Sequence, residues 1–274
     1  LLKVAKVDLD RDLSVTQIVF HVAPRINAAG RLGDANRSVE LLTTTDTGIA
    51  NQLAQELDQE NLSRRVIQQG VVDDALFLVN SEVDLEKDKA IVLGSRGWHQ
   101  GVVGIAASKI KEEFNRPSII ISFDEEGNGK GSARSIKGLD LYNALTAASE
   151  HLENYGGHAM AAGLTVAQDK VAELEAFLTE RISEAMAGQP QSHELSLDGA
   201  LTVSGATRDL FDILEGAGPY GAGHPEPRFA IANAEVVKAD LVGQNHVRMV
   251  LAGARGGRLK GIAFGAADGP LGQA

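Results

Sequence analysis

Two short segments of the sequence combine residue types that can grip a phosphate group. In the first, a glycine-rich stretch leads into Ser132 and Arg134, which offer a hydroxyl and a forked guanidinium. In the second, Gly156 and Gly157 precede His158. Glycines let the backbone approach a ligand closely, and a histidine can donate a hydrogen bond near neutral pH. Both segments indicate phosphate binding, but an exposed strand end and a glycine turn with a capping histidine have similar sequences.

A third polar segment, residues 25–35, contains Arg25, Asn27 and Arg31. These side chains could contact a nucleic-acid backbone. The alternative is a structural role, in which the arginines bond to carbonyl groups beside the helix that follows. Two glycines and a polar cluster in this segment predict a turn between helices.

Two further groups of residues are candidates for contact with a nucleic acid. Trp98 lies in a glycine-flanked loop with His99, where it could stack on a base or fill a core, as a lone tryptophan more often does. Arg248, Arg258 and Lys260 lie on predicted strands near the end of the chain. They could follow a single strand of nucleic acid or simply face solvent.

Composition excludes several classes of protein. A formal net charge of -11 argues against an unspecific binder of nucleic acids, although six basic and four acidic residues follow His224. The absence of cysteine excludes disulfides and thiolate metal sites, and it is consistent with the cytoplasm. No apolar stretch approaches the roughly 20 residues that span a bilayer, so no membrane partner is expected.

The sequence contains no recognisable catalytic or metal-binding centre. There is no Walker-type loop, no HExxH motif and no Gly-x-Ser-x-Gly elbow. Hydrolysis of a phosphodiester with a metal ion needs several carboxylates and histidines that converge, and no such spacing is present. The sequence therefore predicts neither a catalytic residue nor a metal ligand within this chain.

Hydrophobic periodicity predicts an α/β protein with a long helix. Asp46 can cap a helix whose apolar residues recur at helical spacing from 49 to 76, so that it exceeds about 30 residues. A strand at 90–93, a helix at 102–114 and a strand at 118–122 predict a right-handed crossover on a parallel sheet.

The rest of the chain is predicted to complete this domain and add a β domain. The predicted elements are a glycine-rich turn at 127–131, helices at 141–149 and 171–186, a glycine-rich loop at 155–163, a strand at 164–166, a linker at 188–192, a helix at 208–214 and strands at 229–237, 246–251 and 259–264.

Three motifs in this order resemble the RecJ family of single-strand-specific DNA exonucleases. Residues 25–35 resemble the family's connector motif. Residues 131–135 followed by 155–163 are similar to its DHHA1 domain, and residues 219–227 to the entry of its OB-fold domain, with His224 where the family usually has Asn. The glycine–glycine–histidine motif alone is shared by many DHH-superfamily phosphoesterases, but the combination is specific.

The resemblance implies a helical connector at residues 1–89, a DHHA1-like α/β domain with a mainly parallel sheet at 90–187, and a partial OB-like β-barrel at 188–274 that is expected to be truncated. It also implies that an N-terminal DHH domain, which holds the Mn²⁺ or Mg²⁺ ligands, is missing from this chain.

By the same match, Arg31, Ser132, Arg134 and His158 would grip phosphates near the scissile bond, Gly156 and Gly157 would let the backbone approach, and the OB-like domain would hold the DNA. The implied reaction is processive 5′-to-3′ hydrolysis of single-stranded DNA in recombination and repair, by a cytoplasmic monomer that meets other repair proteins.

Two alternatives remain open: a non-catalytic module that binds single-stranded nucleic acid, and a small-nucleotide phosphodiesterase of the same superfamily. The extra tail domain and the basic balance after His224 argue against the second.

Overall fold

The computed structural model describes residues 1–10, 13–186, 195–221 and 223–273. The chain forms two compact units, Leu1–His193 and Glu194–Ala274. None of the helices in these described ranges combines the length and the apolar character that crossing a membrane requires.

The first unit begins with a helical segment that includes most of the predicted turn. A capping box between Ser14 and Gln17 starts helix α1 (Val15–Gln17), which continues through a π-helical turn into α2 (Ala23–Leu32). The prediction of a turn over residues 25–35 is wrong up to Leu32. Gly30 makes the helix about 1 kcal/mol less stable than an alanine would. The burial of Ala28 and Ala29 in the same helix outweighs this cost.

The predicted long helix is confirmed. After α3 (Asn36–Thr43), helix α4 (Thr47–Glu82) runs for 36 residues. Asp46 caps it as expected, because its Oδ1 accepts hydrogen bonds from the amides of Gly48 at 2.7 Å and Ile49 at 3.0 Å. The C-terminal half of α4 shares a core with the strands that follow, so the predicted boundary at residue 90 lies inside one compact unit.

A five-stranded sheet forms the centre of the first unit, with strand order β1-β2-β3-β5-β4. Its elements are β1 (Ile91–Ser95), α5 (Gln100–Phe114), β2 (Ser118–Phe123), β3 (Asn128–Arg134), α6 (Leu141–Ala147), β4 (Asn154–His158), β5 (Ala161–Ala167) and α7 (Val171–Ala185).

The predicted crossover from β1 through α5 to a parallel β2 is confirmed, but the other three pairings are antiparallel. The expectation of a mainly parallel sheet is therefore wrong. The reason is loop length: residues 124–127 join β2 to β3 and residues 159–160 join β4 to β5, and such short loops can only form hairpins.

The two glycine-rich segments predicted as a turn and a loop lie largely in strands. Gly127 takes the positive φ of a turn, 87°, but β3 starts at the next residue. Within β3, a Cβ at Gly129 would lie 2.5 Å from the Phe123 ring and one at Gly131 would lie 2.8 Å from Leu164. These glycines therefore serve side-chain packing across the sheet rather than a turn.

Helices pack on both faces of the sheet, although β4 and part of β5 stay exposed on the α5 side. Ile119, Ile121 and Ala133 belong to the core that includes α6 and α7, whereas Ile91 and Ile120 belong to the core that includes α4 and α5. Because successive strand residues point to opposite faces, Ser132 and Arg134 share a face with Ile120 and lie on the side of α5.

The second unit contains two separate sheets. Strands β8 (Ala234–Val242), β9 (His246–Gly253) and β10 (Arg258–Ala263) form an antiparallel sheet in the order β10-β9-β8. Strands β6 (Gly199–Leu201) and β7 (Phe229–Ile231) pair in parallel, and helices α8 (Arg208–Gly216) and α9 (Pro270–Gln273) complete the unit. This arrangement agrees with the predicted partial OB-like region, and the predicted linker at 188–192 lies outside the described residues.

We predict that Ile120→Ala lowers the free energy of unfolding of the first unit by about 2–5 kcal/mol, because Ile120 is fully buried between the sheet and α5. Urea titration followed by the fluorescence of Trp98, the single tryptophan and a member of the same core, measures this change. The control Val66→Ala removes a side chain that is 74% exposed and should change stability by no more than about 0.5 kcal/mol. Equal effects of the two variants would contradict this assignment of the core.

Candidate nucleic-acid interface

Arg134 is fixed at the end of β3 by neutral groups. Its guanidinium donates hydrogen bonds to Ser132 Oγ at 2.8 Å, to the Ala133 carbonyl at 2.8 Å and to Ser108 Oγ on α5 at 3.1 Å. Helix α5 can lie this close because residue 104 is glycine: a Cβ there would stand 2.9 Å from Ser132 Oγ and 3.0 Å from Arg134 Nη2. The arginine is therefore oriented without losing its positive charge to a carboxylate.

Two further arginines come from other elements, and Arg31 is the one whose charge acts on both Arg134 and Arg64. Arg31, in the last turn of α2, donates to the Gly101 carbonyl on α5 at 3.1 Å. Arg64, in the middle of α4, donates to Asn61 Oδ1 at 2.9 Å and to Gln68. In the part of the chain that the structure describes, neither these two arginines nor Arg134 forms an ion pair with an acidic side chain.

The charges of these arginines act on one another. Burial lowers the pKa of Arg134, and the nearby charge of Arg31 lowers this pKa further. Burial also lowers the pKa of Arg64, followed by the charges of Arg31 and then Arg65. We call Arg31, Arg64 and Arg134 the arginine cluster. Because Arg31 repels the other two members, which are partly buried, an anion such as a phosphate group would stabilise them.

His158 lies in the same cross-sheet row as Arg134. The register pairs Arg134 with Ala161 on β5 and Ala161 with His158 on β4, so all three side chains lie on one face. His158 Nδ1 accepts a hydrogen bond from the Met160 amide at 3.2 Å. The neutral ring then carries its proton on Nε2, which can donate to a ligand.

The two glycines before His158 have different roles. Gly157 has a φ of 149°, and a Cβ there would lie 2.4 Å from the Ala161 carbonyl oxygen, so the fold itself requires glycine. A Cβ at Gly156 would meet nothing within 4 Å. Gly156 pairs with the exposed Gly163, and together they leave a flat floor beside the Arg134 row. The floor allows the backbone of a ligand to approach the sheet.

The structure gives different positions to the other two residues predicted in the connector segment, Arg25 and Asn27. Arg25 is paired with Asp58 on α4 at 2.7 Å and also donates to the His21 carbonyl, which is the structural alternative. Asn27 is exposed on α2, one turn before Arg31 and on the same side of the helix. Asn27 is thus near the arginine cluster, whereas Arg25 is already neutralised.

Trp98 and His99 have structural positions. Trp98 is only 4% exposed, packs in the core with α4 and α5, and places its Nε1 3.4 Å from Asp74 Oδ2. His99 caps α5, because its Nδ1 accepts from the Gly101 amide at 3.0 Å. The core alternative for the tryptophan is the one observed.

In the second unit, the three predicted basic residues share one face of the antiparallel sheet. Lys260 pairs with Val250, which pairs on its other side with Lys238. Arg248 lies between Ile262 and Asp240, and Arg258 is on the same side of β10 as Lys260. Asp240 contacts both Arg248 at 3.1 Å and Lys238 at 3.2 Å, and these hydrogen bonds lower its pKa. Arg258 and Lys260 therefore offer the less neutralised charge on this face.

Sequence reasoning missed two residues of the interface, Arg64 and Ser108. The adjacent arginines 64 and 65 in a predicted helix were a weak signal for the first. Ser108 gave no signal, because its contact with Arg134 spans 26 residues and depends on how α5 packs on the sheet.

The donor set does not fit a divalent metal. Across residues 1–10, 13–186, 195–221 and 223–273, no group of three or more His, Asp or Glu side chains is arranged to hold a metal ion. A catalytic Mn²⁺ or Mg²⁺ needs carboxylate and imidazole donors that converge. The interface described above instead presents arginines and hydroxyls, which bind anions.

Comparison with known domain families identifies both units. Residues 87–184 match the DHHA1 domain, and residues 197–273 match the RecJ OB domain. The chain is 38% identical to the single-stranded-DNA-specific exonuclease RecJ of Escherichia coli over 96% of this chain and 47% of that protein. The RecJ of Bacillus subtilis is 35% identical over 85% of this chain and 30% of its own length.

Solved structures agree with the sequence comparison. The crystal structure of RecJ in complex with Mn²⁺ from Thermus thermophilus superposes with a TM-score of 0.77 and 31% identity. The match covers 94% of this chain and 37% of that one, so the chain spans less than half the length of the relatives it matches. The chain belongs to the RecJ family, and it corresponds to the region of these proteins that carries the DHHA1 and OB domains.

Proposed function

We propose that this chain is the substrate-binding part of a single-strand-specific DNA exonuclease that acts from 5′ to 3′ in recombination and repair. The observation that carries this proposal is the arginine cluster, which lies beside a glycine floor and has no acidic partner among the described residues. The relatives are named as exonucleases specific for single-stranded DNA, and that activity is the one we extend to the complete protein.

In this proposal, a backbone phosphate lies over Ala161, between Arg134 on β3 and His158 on β4. Arg31 and Arg134 neutralise its charge. Ser132 Oγ accepts from Arg134, so its own proton is available for a phosphate oxygen. His158 Nε2 donates from the opposite side, across the small Ala161. These groups bind and orient the phosphodiester, whereas the bond is cleaved elsewhere.

The metal ion of the complete enzyme is proposed to bind outside these residues. Two related RecJ crystal structures are in complex with Mn²⁺ or Mg²⁺. Since the described side chains provide no converging carboxylates or imidazoles, we assign the metal ligands to the DHH domain that the family resemblance implies. No step of the hydrolysis is assigned to this chain.

The second unit is proposed to hold the strand away from the cleavage point. Arg258 and Lys260 face solvent on β10, next to the apolar Val250 and Ile262. A charged edge beside an apolar surface suits the sugar-phosphate backbone and bases of a single strand. Further proposals are that the protein acts in the cytoplasm as a monomer and meets other recombination and repair proteins.

We predict that the chain binds an oligothymidylate of about twelve nucleotides with an affinity that falls as salt rises, and that Arg134→Gln weakens this binding. The loss should be about tenfold, because one charge-assisted hydrogen bond contributes about 1.5–3 kcal/mol. The slope of log affinity against log salt should fall by about 0.7. Fluorescence anisotropy measures both quantities, and Arg181→Gln, an exposed arginine paired with Glu184 on α7, is the matched control. Affinity that is independent of salt would contradict the proposal.

A second prediction separates the two glycines. Gly156→Ala should leave stability unchanged within about 0.5 kcal/mol, because its Cβ meets open space, but should weaken oligonucleotide binding by about 1 kcal/mol, roughly fivefold. Gly157→Ala should lower the free energy of unfolding by about 1 kcal/mol or more, because of its φ and the clash with Ala161. Urea titration and anisotropy on both variants make the comparison. Normal binding by folded Gly156→Ala would show that no ligand approaches this floor.

A third prediction concerns the complete protein, including its DHH domain. Arg134→Ala combined with His158→Ala should reduce Mn²⁺-dependent hydrolysis of single-stranded DNA by about a hundredfold or more, because two groups that orient the phosphodiester are lost. Thermal unfolding should stay within a few degrees of the unchanged protein. A wild-type rate would refute the phosphate assignment of this row.

A further inference from the structure

An open groove lies on the same face of the central sheet as Arg134, toward the other end of β3. It has a volume of about 370 Å³ and is lined by Lys130, Asn154 and Thr165 together with the floor glycines Gly156 and Gly163. The role proposed for the arginine cluster uses the floor glycines but not Lys130, Asn154 or Thr165. Its polar side chains are of the types that bind a sugar-phosphate backbone.

Strand register brings these polar side chains together. Lys130 pairs with Thr165 on β5, and Thr165 pairs with Asn154 on β4, so the three form one cross-sheet row. The next residue of that row, Ser122 on β2, is engaged with the Trp98 carbonyl. The row therefore continues to Ser95 on β1 on one side and opens to solvent at Asn154 on the other.

The charge in this row is available to a ligand. Lys130 is exposed, and within the described ranges no acidic side chain forms an ion pair with it. Glu153 precedes Asn154 and so points to the opposite face of β4. At the end of β2, Asp124 accepts hydrogen bonds from the Asn128 amide at 2.7 Å and from its side chain at 3.0 Å. The ammonium group of Lys130 is thus placed to meet an anion.

The floor glycines lie between the two rows. Gly163 and Gly156 pair with each other, and Gly163 pairs with Ser132, which gives a central row almost without side chains. Neither glycine is required by packing, since a Cβ at Gly156 meets nothing within 4 Å and one at Gly163 meets only the Gly131 carbonyl oxygen at 3.9 Å. A chain lying along β5 would meet Arg134 at one end of this floor and Lys130 at the other.

The separation of the two ends exceeds the size of a single phosphate group. Arg134 and Lys130 are four residues apart on one strand, which corresponds to about 14 Å at about 3.4 Å per residue. A ligand that meets each side chain at its own row is therefore a chain of linked nucleotides rather than a single phosphate.

We propose that Lys130, Thr165 and Asn154 form a second subsite, which binds the phosphodiester of an inner nucleotide of the same DNA strand. This inference rests on the proposed function, since it takes the arginine cluster as the first phosphate site. The strand then runs along β5 across the floor of Gly163 and Gly156. Lys130 supplies the charge, while Thr165 and Asn154 supply hydrogen bonds to phosphate or sugar oxygens.

The test compares a long and a short ligand on the full chain. Lys130→Gln should weaken binding of a twelve-nucleotide oligothymidylate by about threefold to tenfold and lower the salt slope by about 0.7, as expected for one lost phosphate contact. Binding of 5′-thymidine monophosphate should be unchanged, because it reaches only the arginine cluster. Lys130→Arg should restore the affinity for the oligonucleotide. Lys109→Gln, an exposed lysine on α5 beside Glu112, controls for a general loss of charge.

The outcomes separate this inference from the proposed function. If Lys130→Gln binds the oligonucleotide as tightly as the unchanged chain, or loses no more than Lys109→Gln, the second subsite is excluded while the effect of Arg134→Gln still supports the first. If Lys130→Gln weakens the monophosphate equally, the two rows act as one site and the inference fails. If neither Arg134→Gln nor Lys130→Gln changes oligonucleotide binding, the proposed function itself is wrong.

Discussion

The repulsion of Arg31 against both Arg64 and Arg134 is the constraint on which the rest of the interface depends. Arg64 and Arg134 are partly buried, and the exposed Arg31 repels both of them. Because none of the three forms an ion pair with a carboxylate among the described residues, the arrangement is unfavourable in the free chain. The fold holds them there through neutral acceptors, such as Ser132, Asn61 and the Gly101 carbonyl. A bound phosphate would relieve the repulsion. The interface is therefore less stable than it would be with acidic partners, and it gains affinity for anions in return.

This arrangement requires three elements that are distant in sequence to be packed accurately. Arg31 comes from α2, Arg64 from α4 and Arg134 from β3. Helix α4 connects them, because its first half packs on α2 and its second half belongs to the core with α5. The glycine at position 104 then lets α5 lie against β3. A disturbance in either contact would change the spacing of the charges, so the length of α4 serves the interface as much as the core.

The sequence was informative where local chemistry decides the structure and less so where packing decides it. The extent of α4 followed from its Asp46 cap and its periodic apolar residues, both of which are local. The glycines of β3 suggested a turn, yet Gly129 is needed because the Phe123 ring on the neighbouring strand leaves no room for a Cβ. Likewise, the pairing of Arg25 with Asp58 depends on how α2 lies against α4. Residue types alone could not separate this arginine from Arg31, which differs from it only in its neighbours.

The interface is positively charged, whereas the chain as a whole is acidic. A net charge of -11 repels nucleic acids from most of the surface, so that non-specific binding is weak. The interface differs from this acidic surface. It combines the arginine cluster, a hydrogen-bond donor on His158 and a flat glycine floor. Duplex DNA presents its phosphates on a wide cylinder, whereas a single strand can lie along β5 with its backbone close to Gly156 and Gly163. In the proposed binding mode, the affinity for a strand on this face comes from these local positive groups and not from the charge of the chain as a whole.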